Sequence, residues 1–263
     1  MRKLILLLAV LTSCIAIFGA VRAQGAATVE RKTAIGHPMQ YYVSRPANWT
    51  RDRKWPIVIA VEAAEKEFKL NAERFAKAGK DLPFIIVVPI NVTNGNAGQR
   101  DPKVYPYGND VWDRIDKEGV CDFDEDGLQH VVKDVRAAYN GEDRIYLTGF
   151  EAGAHLVWAT VFHRPELLAA AAPVAGNYRG RCVDGQPFSG HSARVSLPIR
   201  GFVASLDEGF GPGGRVYGQW QDARKLAMDN GFGNIGETIV PGKGHAPLPD
   251  EVLAYFMSLR KVP

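Results

Sequence analysis

Residues 144–156 constrain this chain more than any other stretch. They read Arg144-Ile-Tyr-Leu-Thr-Gly149-Phe150-Glu151-Ala152-Gly153-Ala154-His155-Leu156. Ile145 to Leu147 is a short apolar run of the buried-strand type. A helical pattern follows from Ala152 to His163. Gly149 and Gly153 stand two residues either side of Glu151. A turn that tight brings strand and helix backbones together, and glycine is the residue that permits it. The stretch therefore calls for a strand, a sharp turn and a helix, with Glu151 at the tip.

The same spacing, G-x-S-x-G, belongs to the nucleophile elbow, and here Glu151 stands where that motif has serine. The stretch resembles the elbow of α/β-hydrolases, where Gly-Phe-Ser-Ala-Gly-Gly-His-Leu is a frequent form. The likeness continues through Pro165-Glu166-Leu167 to Ala172-Pro173-Val174-Ala175-Gly176. It is most similar to the secreted esterase branch that holds polyhydroxybutyrate depolymerases and feruloyl esterases, and it covers the chain from Pro56 onward. The resemblance implies an α/β-hydrolase fold, a doubly wound and mostly parallel sheet with helices on both faces. The exchanged serine separates the fold from the activity.

The chain has 263 residues, enough for one such domain with a sizeable core. Its N-terminus differs from the rest. Arg2 and Lys3 precede an apolar run from Leu4 to Val21, and Val21-Arg22-Ala23 suits signal-peptide cleavage before Gln24. The expected organisation is a signal peptide over 1–23 and a single domain over 24–263, in a secreted or periplasmic protein. An alternative is a lipoprotein anchored at Cys14, within Leu11-Thr12-Ser13-Cys14. Cleavage removes Arg2, Lys3 and Arg22 from 32 basic residues, leaving 29 against 29 acidic ones. The sequence pI of 8.7 is thus partly a property of the leader. No basic patch points to nucleic acid. Cys121 and Cys182 remain after cleavage, and two cysteines in an exported domain suit one disulfide.

Along the chain, Thr28 to Ile35 and Met39 to Ser44 read as an opening hairpin about Gly36-His37-Pro38. Pro56 to Val61 and Phe84 to Ile90 are continuous apolar strands of the parallel-sheet type. Between them, Lys66 to Lys80 has helical spacing, with Phe68, Ala72, Phe75 and Ala76 on one face. Asn91 to Gly119 reads as a long irregular loop, a length that usually serves function or covers something. Asp124 to Tyr139 is the helix before the elbow strand, and Ala169 to Val174 the strand after it. Asn177 to Ser196 is a second loop. Pro198 to Ala204 and Ile235 to Val240 are strands, and Gly214 to Asn230 a helix. Pro249 to Lys261 is a closing helix with apolar Val252, Leu253, Phe256 and Leu259.

An α/β-hydrolase sets its nucleophile, acid and histidine in that chain order. The resemblance carries these onto Glu151, Asp207 and His245. Asp207 lies in Ala204-Ser205-Leu206-Asp207-Glu208, with Glu208 the fallback acid. His245 lies in Gly242-Lys243-Gly244-His245-Ala246-Pro247. Oxyanion donors in the family are the amide after the nucleophile, here Ala152, and a backbone N–H just beyond a His-Gly pair. Glu62 and Ala63 stand in place of that pair. Two carboxylates beside a pocket built for a developing negative charge have the wrong sign for ester hydrolysis.

Glu151 has three readings by residue type. It can be a carboxylate nucleophile, as aspartate is in haloalkane dehalogenases and epoxide hydrolases. It can be structural, favoured by the helix dipole and paired with His245. It can join Glu62, Asp207 and His245 around a metal. Two further motifs are formal matches. Gly209 to Gly214 fits G-x-G-x-x-G but follows Asp207-Glu208, which would repel a pyrophosphate. Asp122, Asp124 and Asp126 fit the first half of a calcium loop whose twelfth position is Lys133. The resulting expectation has no cofactor and no metal. It is an exported α/β-hydrolase-fold protein without ordinary serine-esterase activity, binding a small ester, aromatic or sugar ligand in the old pocket. The alternative is an active hydrolase working through Glu151, His245 and Asp207.

Overall fold

A computed structural model describes residues 28–94 and 100–260. The expected signal peptide and Cys14 lie outside the described residues. Strand β1 (Glu30–Thr33) pairs antiparallel with β2 (Gln40–Ser44), the opening hairpin expected from the sequence. Strands β3 (Ile57–Val61) and β4 (Ile85–Pro89) are buried along their whole length, as continuous apolar runs in a covered parallel sheet should be. Helix α1 (Phe68–Ala78) joins them and buries Phe68, Ala72, Phe75 and Ala76.

Helices α2 (Asn109–Glu118) and α3 (Val120–Tyr139) lead into β5 (Ile145–Phe150). One 3-10 turn, Glu151–Gly153, opens α4 (Ala154–His163), which leads to β6 (Leu168–Val174). Then come the short α5 (Ala193–Ser196), β7 (Ile199–Ala204), α6 (Tyr217–Asp229), β8 (Ile235–Val240) and α7 (Pro249–Ser258). The eight strands form one sheet in the order β1-β2-β4-β3-β5-β6-β7-β8. Pairing is antiparallel around β2 and parallel from β4 onward. The parallel order changes direction between β3 and β5, where ligand crevices form at the carboxyl ends of strands.

The segment 91–119 departs from expectation. It is not irregular throughout, because α2 occupies its second half and buries Trp112 and Ile115. Gly119, at φ 91, breaks the chain between α2 and α3, so α3 begins at Val120 rather than Asp124. Tyr105, Tyr107 and Trp112 are buried and pack on one another and on Phe123, with ring centroids 5.4–5.9 Å apart in the edge contacts. Residues 105–115 therefore close over the core. At the other end, α7 stops at Ser258, and Leu259 is exposed rather than part of its apolar face. Cys121 and Cys182 form the expected disulfide, with Cα atoms 5.3 Å apart. Cys121 sits in the first turn of α3.

No helix among the described residues is long and apolar enough to cross a membrane.

Candidate functional site

The site is built where β5 ends. A Cβ on Gly149 would stand 2.6 Å from the carbonyl oxygen of Gly153. A Cβ on Gly153 would stand 2.6 Å from the carbonyl oxygen of Val61 and 2.7 Å from that of Glu62. Only hydrogen at both positions lets the turn fold back on itself and lets α4 start against the end of β3. Between them Glu151 holds φ 49, a left-handed conformation that costs a residue with a Cβ on the order of 1–2 kcal/mol. The elbow is thus present in full backbone form, with a carboxylate at its tip.

That carboxylate has a definite partner. Glu151 Oε2 accepts the backbone N–H of Ala64 at 3.1 Å. Ala64 lies just beyond Glu62 and Ala63, where the resemblance placed an oxyanion donor. No hydrogen bond or ion pair joins Glu151 to His245 among the described residues, so the pairing that the structural reading of Glu151 allowed is not formed. The physical reason is the nearby amide, which offers the carboxylate a charge-assisted bond within its own reach.

The Ala63–Ala64 backbone is braced from behind. Asn94 Nδ2 donates to the carbonyl of Ala63 at 3.1 Å, and Tyr105 Oη donates to Asn94 Oδ1 at 2.9 Å. Asp124, fully buried, accepts the N–H groups of Val92 and Thr93 at 2.8 and 2.7 Å. Burial pushes its carboxyl up to about 7 against the pull of those bonds. Glu62 is also buried, and its carboxyl is likewise pushed up to about 7. Sequence reasoning missed Asn94, Tyr105 and Asp124 in this bracing role. Their contacts span 11, 31 and 32 residues and leave no local pattern.

Asp207 and His245 meet. His245 Nδ1 lies 2.6 Å from Asp207 Oδ2. Burial alone would raise the Asp207 carboxyl, but the N–H of Phe210, the His245 ring and the N–H of Gly209 hold it below the usual range. A carboxylate at Nδ1 selects the tautomer with its proton there and leaves Nε2 as the ring's acceptor. The rings of Phe150 and Phe210 flank His245 with centroids 4.6 and 5.1 Å away. Glu208 is exposed and takes no part in this pair. A cavity of about 420 Å³ lies alongside, lined by Glu62, Glu65, Glu67, Arg74, Phe150 and His245 among others. Arg74 pairs with Glu67 at 3.3 Å.

The remaining motifs resolve on geometry. Gly209 to Gly214 forms the loop that serves Asp207, whose carboxylate takes the Gly209 and Phe210 amides. Asp122 to Gly127 lies inside α3, so it cannot wrap a calcium ion as a loop does. Asp124 turns to Val92 and Thr93, while Asp126 faces Arg114 at 3.4 Å. Among the described residues no group of three or more His, Cys, Asp or Glu is placed to hold a metal ion, so Glu62, Glu151, Asp207 and His245 do not form a ligand set. Ala152, which follows Glu151, is buried in the 3-10 turn.

No protein-family model matches the chain, and no curated protein matches it in sequence. Solved structures match it in shape. A poly(3-hydroxybutyrate) depolymerase from Bordetella parapertussis aligns with a TM-score of 0.60 at 17% identity, over 90% of this chain and 92% of the other. Poly(aspartic acid) hydrolase-1 from Sphingomonas sp. KT-1 gives 0.59 at 13% identity, over 89% and 98%. A thermostable esterase gives 0.53 at 16% identity over 88% of this chain, which spans only 60% of that structure's length. The chain has the α/β-hydrolase fold, and likeness at these identities establishes the fold alone.

Proposed function

We propose that this protein is an esterase-like member of its fold that has given up ordinary serine-ester hydrolysis and binds a small ligand beside the elbow. The carrying observation is the bond from Ala64 N–H to Glu151 Oε2. The amide suited to a forming oxyanion is occupied by an anion of the protein's own. Glu62, two residues before that amide, adds a carboxyl to the cavity lined by Phe150 and His245, and burial pushes it up to about 7. Both disfavour an oxyanion in that place. A volume of about 420 Å³ suits a small ester, aromatic or sugar ligand. Export through residues 1–23 fits this reading, since the Cys121–Cys182 disulfide belongs to an oxidising compartment.

The test is turnover of p-nitrophenyl acetate and butyrate by the native protein and by Glu151→Ala. The expected result is no turnover above background in either. Esterase-level turnover by the native protein, abolished in Glu151→Ala, overturns the proposal.

One observation favours a second reading. Asp207 and His245 keep a 2.6 Å bond, and Glu151 keeps the strained φ of 49. Such strain collects at functional sites. Under this reading a Glu151 oxygen displaces halide from an alkyl halide, or opens an epoxide whose ring oxygen takes up a proton from water. Water deprotonated by His245 then attacks the ester so formed, releasing the alcohol and the free Glu151 carboxylate. Mass spectrometry after incubation with those substrates decides it, because a covalent adduct on Glu151 is required.

A further inference from the structure

A second cavity lies away from the elbow, toward the amino ends of the strands. It measures about 750 Å³ and runs between the C-terminal half of α1 and the segment that follows β2. Phe84 and Ile86, which line it, sit at the amino end of β4, whereas the elbow stands at the carboxyl end of β5. Both are almost wholly buried and give the cavity an apolar floor. Trp49 lines one wall, its ring fixed by a 2.9 Å bond from Nε1 to the carbonyl of Tyr139.

The charged lining is one-sided. Arg45, Lys77 and Lys80 face a single carboxylate, Glu73. Glu73 is already engaged by Lys69 at 3.6 Å. Arg45 is engaged by Glu30 at 3.3 Å, and Lys80 meets Asp81 at 3.7 Å. Lys77 has no ion pair among the described residues. The cavity thus joins an apolar floor to a cationic rim with one uncommitted ammonium. Its volume lies within the range of small-molecule sites.

We infer that this cavity binds an amphipathic anion, a medium-chain fatty carboxylate, with its head at Lys77 and Lys80 and its tail on Phe84 and Ile86. The rim selects the sign of the head group, and the floor rewards an unbranched apolar tail. The site is independent of the elbow and of the function proposed there.

Calorimetric titration with dodecanoate, kept below its micelle-forming concentration, tests the inference. The native protein should show one saturable site. Dodecylammonium, with the same tail and the opposite head, should bind at least tenfold more weakly. Lys77→Glu should weaken dodecanoate at least tenfold. Ala47→Trp, at an exposed position on the lining, should do the same by filling the mouth. Both changes are on the surface, and circular dichroism checks each fold. Glu151→Ala should leave the affinity unchanged. The inference is overturned if the native protein has no saturable site, if both head groups bind equally, or if the site survives both surface changes. Loss of binding in Glu151→Ala would place the ligand at the elbow and overturn it too.

Discussion

Glu151 and Ala64 are joined by a 3.1 Å hydrogen bond that closes the elbow onto the end of β3. Glu151→Ser removes that anion and restores a hydroxyl at the tip. It leaves Glu62 beside the pocket, so only slight esterase activity should appear. Adding Glu62→His and Ala63→Gly should recover more, since one defective oxyanion donor typically costs ~10²–10³ in kcat. Turnover of p-nitrophenyl butyrate by the single and triple variants is the comparison. Equal activity in the two would show that Glu62 does not matter.

The glycines of the elbow make a sharper test of its geometry. Gly149→Ala and Gly153→Ala each set a methyl group 2.6 Å from a backbone oxygen, which cannot swing away as a side-chain tip would. Each should cost about 1–3 kcal/mol in urea unfolding. Gly218→Ala, in α6 with nothing within 4 Å, should instead stabilise by roughly 0.8–1 kcal/mol. At the tip, Glu151→Gly should be more stable than Glu151→Ala, because relief of the left-handed strain outweighs the added freedom of the unfolded chain. The reverse order would show that φ 49 carries no strain.

Much of this fold is legible because its signals are local. The apolar runs of β3, β4 and β5 and the spacing on α1 mark themselves within a few residues. The Gly149 and Gly153 pair marks the turn. Asp207 and His245 are legible by chain order once the fold is granted. The partner of Glu151 is not, since only the folded approach of β3 brings Ala64 N–H to it. Helix α2 has a local signal in Trp112 and Ile115, three apart, but Gly108 and Gly119 give it the look of a loop. The brace of Asp124, Asn94 and Tyr105 depends on long-range closure and has no sequence signature at all.

Stability should depend on pH through four buried groups. Burial pushes Glu62 and Asp124 up to about 7 and pulls His37 and His155 down to about 4. The raised acids stabilise the fold while neutral, and this contribution is lost as pH rises through about 7. The lowered histidines contribute fully above their ordinary 6.5, and that contribution is lost as pH falls toward 4. The two effects oppose one another between about 4.5 and 6.5. From pH 6.5 to 8 only the acids still change, so stability should decline. Asp124→Asn removes one of them. Urea unfolding at pH 5, 6.5 and 8 should show the native protein losing ground to this variant as pH rises. A constant difference would mean that Asp124 is ionised throughout.

The disulfide should contribute substantially. Its cysteines are 61 positions apart, and cross-linking a loop of that length stabilises by about 4 kcal/mol in the chain-entropy model. Replacing both by serine should lower the unfolding free energy by about 2–4 kcal/mol. A change below about 1 kcal/mol would show that restricting the unfolded chain by this bond contributes little to stability.

The placement of that bond has a consequence beyond its strength. Strand β5, the elbow, α4 and β6 all fall between Cys121 and Cys182, so the elbow module lies inside a closed covalent ring. A single peptide cut anywhere in the ring leaves one molecule, with both new ends still tethered. Glu151, on the ring, then stays attached to the arms that carry Ala64 on one side and His245 on the other. Only reduction together with a cut sets the pieces free.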